Sequence, residues 1–178
     1  MPTLAVPTTR VHRSFVAAMA EFAAEGRGPG DGSMIGYDLA HFGGSWQSPE
    51  GFASYVQQVL DQAREDAPRP AHFVPSTTLW WVEGDEYLGR LAIRHRLTPA
   101  LLEAGGHIGY DVRASARRRG HATAMLAAGL PVAHRLGIDP ALITCEASNV
   151  ASRRVIEHNG GIFEDERGGK LRFWTPTS

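Results

Sequence analysis

Phe15, Ala18, Met19 and Phe22 recur at helical spacing, which predicts a helix over residues 11–25 with one apolar face. Gly26, Gly28, Pro29, Gly30 and Gly32 end that pattern. Residues 26–48 then read as a long loop with a short turn of helix at 37–42, and loops of that length are often binding loops or lids. Ser48 followed by Pro49 supplies a cap and a first-position proline for a second helix. Its stripe is Phe52, Tyr55, Val56, Val59 and Leu60, and it ends near Glu65. Pro68, Pro70 and Pro75 mark an extended connector.

Beyond the connector the pattern shortens. Residues 77–83 and 86–96 read as strands joined by Gly84-Asp85, a hairpin. Thr98-Pro99 opens a brief helical turn through Leu102, and a strand follows at 106–113. A helix is predicted from about Arg118 to Leu136, kinked at Pro131, which lacks a backbone donor. Ala141 to Glu146 is a short buried strand. Asn149 to His158 is a helix closed by Asn159-Gly160-Gly161. Strands at 163–166 and 171–174 flank an Arg167-Gly168-Gly169 turn. This order describes a mixed α/β domain, one domain over 1–178, with its crossover helices in the C-terminal half.

Composition narrows the picture only a little. The 43% hydrophobic and 21% charged fractions are ordinary for a globular chain. A net charge of −1 supplies no field toward nucleic acid or membrane, so neither is expected as a partner. The single cysteine, Cys145, excludes an intrachain disulfide and fits a reducing, cytoplasmic setting. No spacing of histidines and acids suggests a metal site.

The chemistry concentrates in His107 to Ala122, HIGYDVRASARRRGHA. A strand runs into a polar turn holding Arg117, Arg118 and Arg119, and a helix begins at Gly120, His121 and Ala122. The free amides of a first helical turn and the helix dipole favour an anion there. Small residues let a phosphate approach the backbone, and arginines add charge-assisted hydrogen bonds. The segment is suited to a pyrophosphate. The same arginines would also serve as a solvated helix start, and Asn149 and Ser152 suit a helix cap and first turn.

Arg117-x-x-Gly120-x-Ala122 resembles the acyl-CoA pyrophosphate loop, R/Q-x-x-G-x-G/A, of the GCN5-related N-acetyltransferases (GNAT). Asn149, Ala151 and Ser152 follow the next strand at the distance of that family's Asn-x-x-Ser element. The likeness covers roughly residues 77–166; residues 1–70 resemble the family's variable N-terminal helices. It implies a sheet splayed at the acyl-CoA site, flanking helices, and acetyl transfer from acetyl-CoA to a primary amine, small molecule or peptide. It also implies cofactor contacts from Val112, Arg117, Arg118, Arg119, Gly120, His121, Ala122, Thr123, Asn149 and Ser152. A backbone N–H near Val112 would face the reacting carbonyl. A homodimer through the C-terminal strands is compatible with the resemblance.

One position departs from the family. The tyrosine that many members use as general acid is replaced by Ile156. A non-catalytic acyl-CoA sensor with the same fold is therefore the alternative reading. The candidates for acid–base work are His107 and Glu146, on the two strands expected to flank the thioester, ahead of Glu83 and His95. Tyr110 and Asp111 alternate faces, so at most one faces substrate. Cys145 is expected to be buried and inert, and Trp46 to line the acceptor site. Acceptor selectivity is expected from 26–48, 66–76 and 166–170.

Overall fold

The computed structural model describes residues 1–178. Its strands are β1 (Thr3–Ala5), β2 (Ser76–Glu83), β3 (Glu86–Arg94), β4 (Ile108–Val112), β5 (Ala141–Glu146), β6 (Ile162–Arg167) and β7 (Lys170–Thr175). They form one sheet in the order β1-β2-β3-β4-β5-β7-β6. Every pairing is antiparallel except β4 with β5. The helices are α1 (His12–Ala24), α2 (Met34–Phe42), α3 (Pro49–Asp61), α4 (Pro99–Glu103), α5 (His121–Arg135) and α6 (Val150–His158).

The sheet separates two apolar layers. On one face Leu91, Ile93, Ile108 and Ile143 pack with Met125, Leu126 and Ala133 of α5 and Ile156 of α6. On the other, α1 and α3 bury aromatic rings against Trp80 and Tyr87. Phe15 sits at the middle of that layer, with the rings of Trp46, Phe52 and Tyr87 each 5.1 Å from its centroid. Close approach of α5 needs Gly129, where an added Cβ would lie 2.7 Å from Leu91.

The parallel pair is the feature that shapes the molecule. β4 and β5 are in register only at Ile108↔Ile143, and beyond that point they part. A parallel pair must be joined by a crossover, here through α5, so the gap opens toward the N-terminus of that helix. At the closed end, His107 N–H donates to Leu142 O at 2.7 Å, and Leu142 N–H donates to His107 Nδ1 at 2.9 Å.

Several boundaries differ from the sequence expectation. The 26–48 segment contains a full helix, α2, which begins earlier than the turn expected at 37–42. Ser33 caps it by accepting from Gly36 N–H, and Asp31 holds the preceding loop through Gly28 and Ser33. Gly36 masks the helical pattern in the sequence, yet it is needed: an added Cβ would lie 2.5 Å from Gly28 O. β1 is three residues long, too short to show alternation. α5 starts at His121, not Arg118, because Arg118 and Gly120 have φ of 61° and 79°, outside the right-handed helical region. It continues past Pro131 to Arg135. α6 ends as expected, with Gly160 at φ 87° and Gly161 N–H returning to Ile156 O at 2.9 Å.

Candidate active site

The gap between β4 and β5 is a cleft of about 580 Å³. It is lined by Val112, Arg117, Arg118, Gly120, His121, Ala122, Thr123, Asn149 and Ser152, so it gathers every residue expected to contact the cofactor except Arg119. The backbone makes most of this surface. In the β3–β4 ladder, Arg113 N–H donates to Leu88 O and Arg94 N–H to His107 O. Hydrogen-bonded pairs alternate with non-bonded ones in an antiparallel ladder. Val112 and Tyr110, opposite Gly89 and Leu91, therefore turn their amides and carbonyls away from β3 and into the opening.

At its wide end the cleft meets the start of α5. The left-handed residues Arg118 and Gly120 bend the chain so that successive N–H groups line a concave turn, a shape that binds anions. Nothing lies within 4 Å of a Cβ built on Gly120, so the rim is open. His121 adds a side-chain donor. Trp81 Nε1–H donates to its Nδ1 at 3.2 Å, which leaves the proton of the neutral ring on Nε2. A pyrophosphate fits this rim, and an extended amide-bearing arm fits the free edge of β4.

Arg117 lines the cleft and is also bound by the protein itself. Its Nε donates to Val112 O at 2.9 Å and its guanidinium forms a forked ion pair with Glu25 at the end of α1. Glu21, one turn earlier, accepts from Arg113 Nε at 3.0 Å and from Ser115 N–H at 2.9 Å. Burial pushes the Glu21 carboxyl up, but the bonds from Arg113 and Ser115 outweigh it and hold it at about 2. Two carboxylates of α1 thus clamp both ends of the turn. Arg118 also lines the cleft and has no carboxylate partner, whereas Arg119 does not line it.

On the opposite wall, Asn149 caps α6 by accepting from Ser152 N–H at 3.1 Å. The Ser152 hydroxyl lies 2.7 Å from Tyr110 OH. Burial pushes the Tyr110 phenol up to about 12, with the Ser152 bond opposing it, so the phenol keeps its proton. Sequence reasoning missed this pair. The alternation of Tyr110 and Asp111 was visible, but which residue faced α6 depended on the tertiary packing. Asp111 takes the other face, 3.2 Å from Arg27. Ile156, at the family's tyrosine position, is wholly buried. Cys145 is buried too, and burial pushes its thiol up.

The expected acid–base candidates lie elsewhere. His107 is buried, its Nδ1 is occupied by Leu142 N–H, and burial followed by the charge of Arg94 lowers its pKa. It ties β4 to β5 and lines neither large cavity. Glu146 is exposed and ion-paired with Lys170 on β7. Glu83 pairs with the N-terminal amine at 2.9 Å, and His95 bonds Thr77 at 2.8 Å. Trp46, expected at the acceptor site, is only 2% exposed and belongs to the aromatic layer around Phe15.

A second cavity, of about 870 Å³, lies on the α2 side of the sheet. Its walls come from 30–42, from 72–76, from β3 and from the start of α4. The first two segments are those expected to select an acceptor; the 166–170 turn takes no part. Tyr37, His41 and Phe73 give it an aromatic wall, with the Tyr37 and His41 rings stacked at 3.9 Å. Asp38 holds its floor, accepting from Tyr55 OH and Arg90 Nη1 at 2.6 Å each. Burial, and then the Asp38 charge, raise the Tyr55 phenol well above its ordinary value. No group of three histidine, cysteine, aspartate or glutamate side chains is placed to hold a metal ion. No helix is long and apolar enough to cross a membrane.

Comparison with known proteins bears on this geometry. No curated protein sequence matches the chain. RimJ of Mycobacterium smegmatis, solved in complex with CoA-disulfide, is 20% identical over 98% of this chain and 81% of its own, with a TM-score of 0.67. The ribosomal-protein-S5-alanine acetyltransferase of Vibrio fischeri is 10% identical, covering 98% and 91%, with a TM-score of 0.65. The microcin C7 self-immunity acetyltransferase MccE, in complex with acetyl-CoA and AMP, is 14% identical, covering 98% and 92%, with a TM-score of 0.64. These likenesses establish a shared fold. The family profile described as acetyltransferase (GNAT) domain matches residues 35–162, well over half of the sequence. The chain belongs to the GNAT acetyltransferases, which move an acetyl group from acetyl-CoA to an amine.

Proposed function

We propose that this chain holds acetyl-CoA in the β4–β5 cleft and a primary amine in the α2-side cavity, and acetylates the amine in a ternary complex. The observation that carries the reading is the junction of a splayed parallel pair with a left-handed, amide-rich turn at the N-terminus of α5. The amides from Arg118 to Thr123, the Nε2–H of His121 and the guanidinium of Arg118 hold the pyrophosphate. The free edge of Tyr110 and Val112 pairs with the pantetheine arm. Acetyl-CoA supplies an acetyl group activated as a thioester.

The residues then handle two protons. On the cofactor side, Ser152 and Tyr110 replace the missing tyrosine at Ile156. Ser152 Oγ delivers a proton to the departing sulfur and is supplied by the Tyr110 phenol 2.7 Å away. On the acceptor side, the group placed to take the ammonium proton is His41, since Asp38 is held by Tyr55 and Arg90. His41 gives its Nδ1–H to Tyr37 O at 2.8 Å, so Nε2 keeps a lone pair. Holding both reactants in one geometry supplies most of the acceleration. The ribosomal-protein acetyltransferases among the structural relatives support peptide amines as one acceptor class, and a cytoplasmic setting.

Release of free CoA on addition of amines tests the reading. Amine-stimulated release supports it. Tight acetyl-CoA binding with no release across a broad amine panel would favour the sensor.

A further inference from the structure

The acceptor cavity carries a positive charge with no protein counterion. Arg94, half-buried on β3, lines it, and its Nη1 donates to Gly105 O and Gly106 O at 3.0 and 3.1 Å. These are carbonyls; no carboxylate lies within ion-pair distance. Arg90, two pleat repeats away on the same face, is 5% exposed and spends its charge on Asp38. Its Nε has no hydrogen-bond partner at all. Asp38 is the only acid of the lining and is already bonded by Tyr55 and Arg90. The histidines of the wall, His41 and His72, add no negative charge. Burial, and then the neighbouring Arg90 charge, lower the Arg94 pKa, as expected of a guanidinium lacking an anion.

Neutral donors stand beside it. Ser76 and Thr78 of β2 lie opposite Arg94 and Ala92 in register, on the cavity face, and their hydroxyls bond nothing in the protein. A guanidinium and two hydroxyls on adjacent strands form a cradle for an oxyanion. Gly109 of β4, one residue past the point where β4 leaves β5, faces it beside the Met34 side chain: an added Cβ there would lie 3.1 Å from Met34 Cε and 4.0 Å from Arg94 Nη1.

We propose that the acceptor is an amine bearing an oxyanion, a carboxylate or a phosphate, a few bonds from its nitrogen, and that Arg94 with Ser76 and Thr78 binds that oxyanion. The proposal rests on the acetyl-transfer reading, which names the cavity as the acceptor site. The oxyanion satisfies the cation that the protein leaves open.

The test uses matched pairs that differ in the anion alone: L-phenylalanine with its amide, and glucosamine 6-phosphate with glucosamine. The carboxylate and phosphate arms distinguish the two oxyanions. The anionic member of at least one pair is expected to show kcat/KM about tenfold or more above its neutral twin, the worth of a hydrogen-bonded charge. In Arg94→Gln the preference should fall to about twofold, with acetyl-CoA affinity unchanged; Arg94→Lys should keep part of it. Because Arg94 also braces Gly105 and Gly106, Ser76→Ala with Thr78→Val gives a second route to the same loss. Equal turnover of both members, or a preference that survives Arg94→Gln, overturns the proposal. Equilibrium titration with N-acetyl-L-phenylalanine, its amide and N-acetylglucosamine 6-phosphate reads the cradle without turnover. An anion preference there, with no CoA release, would sink the transfer reading and leave the anion site standing; no preference in either assay would sink the anion site alone.

Discussion

The two cavities share no lining residue and are built on different principles. The cofactor cleft is made of backbone: the free edge of β4, the turn at Arg118–Gly120 and the first amides of α5. The α2-side cavity, the proposed acceptor site, is made of side chains drawn from α2, the 72–76 connector, β3 and α4. A backbone site is constrained by φ and by small residues, so it leaves a short local signature. A side-chain cavity depends on distant segments meeting, and its charge balance is invisible until they do.

That contrast can be broken by mutation, and the largest effect is expected at the backbone site. Gly120→Glu puts a carboxylate on the open rim at φ 79°. It should abolish CoA release and weaken acetyl-CoA binding by about a hundredfold or more, through repulsion of phosphate and strain in the left-handed turn. Circular dichroism should stay native, since nothing crowds that Cβ. Ser152→Ala is expected to lower kcat by about a hundredfold and Tyr110→Phe by about tenfold, each with little change in acetyl-CoA affinity. A weakened affinity with unchanged kcat would make Ser152 a binding residue instead.

The clamp should behave as one unit. Arg117→Ala and Glu25→Ala are each expected to weaken acetyl-CoA binding by about tenfold, and the double variant by no more than either alone. Additive losses would mean that Arg117 touches phosphate directly. His107→Ala should leave kcat unchanged well below the melting temperature and cost about 2 kcal/mol of stability, because Leu142 N–H is orphaned. A normal melting curve with a collapsed rate would restore His107 to the chemistry.

The smallest effect concerns acid. The Glu21 carboxyl is held at about 2 in the folded chain, below its ordinary 4.5. Its contribution is therefore complete above about pH 4.5 and is lost as pH falls through 2. Glu21→Gln should flatten the fall in melting temperature across that window relative to the parent, with no difference at neutral pH beyond a constant offset.

The sequence was most readable where structure is local. The Ser48-Pro49 start of α3, the hairpin at Gly84-Asp85, the strand–turn–helix at β4–α5 and the Gly160 close of α6 all came from residues within a few positions of one another. Helix α2 was underestimated because Gly36 and its glycine-rich approach look like a loop, although the Asp31 and Ser33 bonds that stabilise it are local and Ser33 was a readable cap. The setting of His107 was hidden for a related reason. His107 lies on the right strand, but the parting of β4 from β5 begins one residue later, which puts its ring at the closed end of the gap. Arg117 matched the motif, yet Glu25, 92 positions away, claims its charge. Tyr110 and Ser152, 42 apart, could be joined only by the crossover.

The central claim is that the β4–β5 cleft and the turn at Gly120 hold acetyl-CoA. Calorimetric titration of the parent chain and of Gly120→Glu with acetyl-CoA, with ATP and pantetheine as controls, tests it most directly. The account predicts saturable binding of one acetyl-CoA per chain, tighter than either control, and lost in Gly120→Glu. No binding by the parent, or equal binding by the variant, would contradict it.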